Sequence, residues 1–151
     1  KSVGELQFDL ITGFDVGYLE LPENIKVHPF LEKDEFLEIF KNAVAGIGSA
    51  GLYENGMNEA CVLKLREYLS AGLPVIVPYK DTAFLNQKSP DWFLELPNEP
   101  SSLGNNKEKI MDFVERIRGL RVQANEVFPY ISSERWEAER VNFFKQVLKM
   151  K

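Results

Sequence analysis

Two glutamates, Glu59 and Glu67, stand eight positions apart in the stretch NEACVLKLREYLSAGLPVIVPY, residues 58–79. An ionised carboxylate has two acceptor oxygens, so each suits a pair of neighbouring hydroxyls. Helical spacing predicts a helix from about Ala60 to Ala71, stopped by Gly72 as a C-terminal cap. Glu59 sits at its mouth and Glu67 two turns further in. The first four amides of a helix lack internal partners, and the macrodipole makes that end partly positive. Here they would belong to Ala60, Cys61, Val62 and Leu63, and they could hold a diphosphate. Gly51 and Gly56 would let the preceding loop approach a ligand closely. One glutamate could then hold a sugar ring and the other a ribose, a pattern that fits a nucleotide sugar. The spacing also has a blander meaning, which on its own is the commoner one. Glutamate is favoured in first helical turns, and Glu67 could face water beside Lys64 or Arg66.

Other reactive side chains read more simply. Cys61 has no second histidine to pair with His28, so a small packing residue is expected rather than a nucleophile. His28 falls in a strand-like run and suits a structural or base-adjacent place. Lys64 and Arg66 could approach phosphate, but a solvated helix face accounts for them slightly better. Asp81 and Thr82 follow a strand and could line a ligand site, or equally cap a helix. Trp136 and the phenylalanines near it are expected to pack.

These residues need elements to hold them. Residues 6–13 read as a short strand ending at a glycine, and IKVHPF (25–30) as a second. KDEFLEIFKNA places Phe36, Ile39 and Phe40 at helical spacing, with acids early and Lys41 late. VAGIGSAG (44–51) reads as a buried strand running into a loop, and the loop from Ser49 to Asn58 as one that borders a ligand. PVIVPY and DWFLELP read as strands, and residues 105–120 as a helix. SSERWEAERVNFFKQVLKMK reads as a last helix with Trp136, Val141, Phe144, Val147 and Leu148 on one apolar stripe. Strands alternate with helices, and several strands are apolar throughout. The expected class is α/β: a Rossmann-like, mostly parallel sheet with helices on both faces. Such sheets bind ligands at the carboxyl ends of their strands.

The 151 residues suffice for one domain, 1–151, with a real core. A net charge of −5 argues against a general nucleic-acid binder. The single cysteine excludes an intramolecular disulfide and fits a reducing compartment. No apolar run approaches the ~20 residues that span a bilayer. KSVGELQF lacks the apolar stretch of a signal peptide, and the initial Lys1 suggests a fragment whose true N-terminus lies upstream.

Taken with its flanks, the glutamate stretch resembles the retaining glycosyltransferases of the GT-B fold, particularly family 4. Their C-terminal halves carry a glutamate, seven residues, a second glutamate, a small residue, Gly-x-Pro and a β-branched run. Here these are Glu59, Glu67, Ala71-Gly72-Leu73-Pro74 and Val75-Ile76-Val77. NIKVHPFLEKDEFLEIFKNAVAGIGSAG is similar to the family's preceding strand, helix and strand, and SSERWEAERVNFFKQVL to its closing helix.

The resemblance implies a donor-binding domain for a nucleotide diphosphate sugar, transferred to an acceptor with retention. It implies that Glu59 belongs to the catalytic site and contacts donor-sugar hydroxyls, and that Glu67 binds the ribose. The amides from Ala60 to Leu63 would meet the diphosphate, and the base would lie near Phe30 and Leu31. The family generally needs no metal, and nothing here resembles an acidic metal triad; the donor is a substrate, not a cofactor. A glycan or lipid-linked acceptor would bind an N-terminal domain absent from this chain, so the fragment alone would not catalyse transfer. Cytoplasmic placement follows from the family, with the full enzyme able to associate peripherally with the inner membrane face. The chain departs from the family pattern at Cys61 and Val62, which replace a glycine-phenylalanine pair. It also starts just after the strand and helix that usually open this half, the strand being central in the sheet. The alternatives are a nucleotide-sugar epimerase of the same fold and a non-catalytic sugar-nucleotide binding module.

Overall fold

A computed structural model describes residues 6–85 and 87–149. The strands are β1 (Phe8–Ile11), β2 (Ile25–His28), β3 (Gly46–Ile47), β4 (Glu59–Ala60), β5 (Val75–Val77), β6 (Lys80–Asp81) and β7 (Phe93–Glu95). Between and after them run α1 (Lys33–Asn42), α2 (Leu63–Ser70), α3 (Ser102–Asn105), α4 (Lys107–Ile117), α5 (Ala124–Ile131) and α6 (Ser133–Lys149). Every strand pair among the described residues is parallel.

The centre is the three-stranded sheet β3-β5-β7, with Gly46 opposite Val75 and Val75 opposite Phe93. Alternate residues of β5 point to opposite faces, as a pleated strand requires. Val75 and Val77 join one buried cluster with Leu65 and Leu69 of α2 and Val127 of α5. Ile76 joins another, with Leu94 and with Phe113, Val114 and Ile117 of α4. A sheet covered on both faces explains why residues 75–77 are apolar throughout and all buried. The expected parallel α/β arrangement with helices on both faces therefore holds for this sheet.

A single continuous sheet does not form among the described residues. β1 and β2 make their own parallel pair, and β4 and β6 another. The β1–β2 pair exposes the middle residues of both strands, Asp9 and Leu10 in one, Lys26 and Val27 in the other. An aspartate and a lysine at those positions cannot be enclosed on two faces without partners.

Helix ends follow local chemistry. Glu35 reaches back to the Glu32 amide at 3.0 Å and caps α1. At the other end of α1, the Arg121 guanidinium donates to the carbonyls of Lys41 at 2.5 Å and Ala43 at 2.9 Å. These are acceptors that a helix terminus leaves open. Gly72 ends α2 with φ of +75°, and its carbonyl accepts from the Val122 amide at 2.9 Å. A Cβ there would also meet the Val122 oxygen at 3.0 Å, so close backbone approach and positive φ both demand glycine.

The structure departs from the sequence reading in three places, the second of them a segment for which no element was expected. First, α2 begins at Leu63, not near Ala60, because Ala60 pairs in β4 opposite Asp81. Second, α5 is a helix that the sequence conceals, since Pro129 sits inside it and reads as a breaker. Third, the apolar stripe of the last helix does not pack. α6 has no buried residue, and Trp136, Val141, Phe144, Val147 and Leu148 are exposed. The last two residues of that expected helix, and residues 1–5 at the other end, lie outside the described residues.

Candidate functional site

The parallel order β3-β5-β7 puts the loop after β3 and the start of α2 at the carboxyl end of the sheet. That loop holds one turn of 3-10 helix, Leu52–Asn55, bracketed by Gly51 at φ +100° and Gly56 at φ +65°. Both glycines occupy the left-handed region that side chains disfavour. Beyond them β4 carries Glu59, exposed, opposite Lys80 of β6.

Glu59 stands on the wall of an open cleft of about 620 Å³. Asn58, Glu59, Tyr79 and Lys80 line one side, and residues 95–98 the other. Glu95 is the last residue of β7, so the cleft lies at the carboxyl end of the strands, as the class predicts. Carboxylates, an ammonium and side-chain amides meet here beside Leu96 and Pro97, a mixture that can bind a polar ligand with one apolar flank. A larger hollow, about 710 Å³, runs along α6 beside Trp136 and Phe143. One helix, α6, supplies all its lining residues, and neither Glu59 nor Glu67 is among them.

α2 starts without a side-chain cap, since Val62 precedes it in extended conformation. The Leu65 amide already donates to the Val62 carbonyl at 3.1 Å. The amides of Leu63 and Lys64 are therefore the ones at the open end of the helix. Ala60 is buried in the core, Cys61 is exposed, and Leu63 is 77% exposed. Of the four amides assigned to a diphosphate from sequence, only that of Leu63 lies within α2. Glu67 is exposed further along α2 and is not on the wall of the cleft that holds Glu59. Phe30, 79% exposed, and Leu31, half-buried, lie between β2 and α1 and do not line that cleft either.

The strongest polar contact was hidden from sequence reasoning. Arg66 donates from both terminal nitrogens to Asp81, at 3.0 Å to Oδ2 and 2.6 Å to Oδ1. Asp81 is 1% exposed and also accepts from the Ala83 amide at 3.0 Å, which caps the short 3-10 turn Thr82–Phe84. Arg66 donates to Cys61 Sγ as well, at 3.3 Å. Burial works against the Arg66 charge, but the hydrogen bond and charge of Asp81 outweigh it, so its pKa is raised. Arg66 is thus no solvated surface residue, whereas Asp81 does cap a turn. Lys64 is half-buried, and desolvation lowers its pKa. His28 bonds to Asp9 at 2.6 Å across the β1–β2 pair, a structural place.

Tyr79 is 1% exposed, and its hydroxyl has no partner among the described residues. Burial pushes its pKa up. The ring lies over Gly48, whose missing Cβ would come within 3.1 Å of Tyr79 Cε1. Among the described residues no group of three or more His, Cys, Asp or Glu side chains could hold a metal ion. Nor is any helix there long and apolar enough to cross a membrane.

Comparison with models of protein families, with curated proteins and with solved structures finds no match to this chain. Its function must therefore be argued from its own residues.

Proposed function

We propose that this chain is the donor-binding domain of a retaining glycosyltransferase, holding a nucleotide diphosphate sugar at the carboxyl end of β3, β5 and β7. The observation that carries this is the uncapped start of α2, with Glu59 just before it on a cleft wall and Glu67 on the helix that follows. The amides of Leu63 and Lys64 and the Lys64 ammonium would meet the diphosphate. Lys64 supports this because its charge is disfavoured by burial, and a phosphate would restore it. Glu59 would accept from donor-sugar hydroxyls and Glu67 from the ribose.

As the anomeric bond breaks, helix-start dipoles stabilise the charge that develops on the departing diphosphate. In this reading β1–β2 and β3-β5-β7 are parts of one GT-B sheet, joined by a strand from a preceding part of the polypeptide. The acceptor, a glycan or lipid-linked sugar, would bind that preceding part. Calorimetry with a panel of UDP-, GDP- and ADP-sugars tests the proposal. At least one should bind, and Glu67→Ala should weaken it roughly tenfold or more, about 1.4 kcal/mol. No binding across the panel, or full affinity in Glu67→Ala, would sink it.

A further inference from the structure

A buried ion pair is an inefficient way to stabilise a fold. Replacing both partners by neutral groups of similar shape is often harmless, whereas removing one strands a charge. The placement of Arg66 and Asp81 suggests what the pair is for. One guanidinium joins three pieces of chain: α2, which carries it; Cys61 in the extended segment before α2; and Asp81 at the end of β6. β6 in turn pairs with β4, which carries Glu59. Among the described residues no side-chain cap holds the start of α2.

We propose that the Arg66–Asp81 pair is a positioning device that holds the segment Cys61–Val62 so that the Leu63 and Lys64 amides keep a fixed relation to Glu59. The proposal rests on the assignment of this end of α2 to a nucleotide sugar. Arg66 and Asp81 are positioning residues here and need not touch the ligand.

The test is the double variant Arg66→Met with Asp81→Asn. It strands no charge, and the asparagine oxygen can still accept from the Ala83 amide. Hydrogen exchange is followed at the Leu65 amide, the first at this end to be bonded, to the Val62 carbonyl, with the β5 amides as an internal reference, alongside calorimetry with the tightest nucleotide sugar. Exchange at Leu65 should accelerate roughly tenfold while β5 is unchanged, and affinity should fall roughly tenfold. Unchanged local exchange overturns the positioning role whatever the affinity does. Faster local exchange with full affinity overturns it too. If the wild-type chain binds no nucleotide sugar yet the variant shows faster local exchange, the site assignment fails and the mechanical role stands. Should the double variant not fold, Arg66→Lys is the substitute. It keeps the charge but loses the two-pronged grip, and should accelerate the same local exchange about threefold; no acceleration overturns the proposal.

Discussion

The two larger parallel sheets differ in what surrounds them. In β3-β5-β7, residues of β5 serve two buried clusters at once, one under α2 and α5 and one under α4. In β1–β2 the ladder has the same parallel register, but Leu10 and Val27 remain 38% and 39% exposed. Backbone pairing alone therefore makes a strand, and burial on both faces makes a platform. The candidate site sits where the carboxyl end of this platform, at Glu95, meets the small β4–β6 pair that carries Glu59 and Lys80.

Leu65→Ala should break the platform most. Leu65 is fully buried, and the cavity should cost about 3 kcal/mol in chemical denaturation. Val27→Ala in the other sheet should cost under about 1 kcal/mol, because little apolar area is lost. Equal losses at the two positions would erase the distinction.

Gly72→Ala should cost less than Leu65→Ala, about 1–2 kcal/mol in the same assay, from left-handed backbone and crowding against the Val122 carbonyl. A neutral result would mean that the end of α2 is not tied to the segment after α4.

Tyr79→Phe should be smallest at neutral pH, under about 1 kcal/mol, since the hydroxyl has no partner to lose among the described residues. Its effect appears in alkali. Burial raises the folded pKa above the ordinary 10.0, so the stability linked to the neutral phenol is present below pH 10 and lost as pH rises further. Denaturation at about pH 8 and about pH 11 should show a smaller alkaline loss for the phenylalanine variant. An identical loss in both proteins would place the hydroxyl in water.

Much of the platform was legible from local signals. PVIVPY is apolar on both alternations, which announces a strand covered twice, and Gly72 announces the end of α2. The start of α2 was misplaced because Ala60, Cys61, Val62 and Leu63 have helix-compatible sequence but the first of them pairs with Asp81. That pairing links residues too far apart in sequence for any helical period to reveal. The same holds for Arg66 and Asp81, fifteen positions apart. On its helix Arg66 looks like any solvated arginine, and only the turn after β5 brings the carboxylate beneath it. The α6 stripe shows the converse: its apolar period is plain, but a period does not supply a partner.

The sequence by itself determined the alternation of strands and helices, the doubly buried character of β5 and the glutamates on either side of the start of α2. These follow from side-chain period, glycine conformation and residue type, all of which are local. Tertiary structure alone decided that the strands divide into separate parallel groups, that α2 starts three residues late and that Glu59 stands on a cleft wall while Glu67 does not. It also decided that Arg66 spends its charge on Asp81. Those outcomes depend on which distant groups meet and whether water is excluded between them, and no local pattern encodes that.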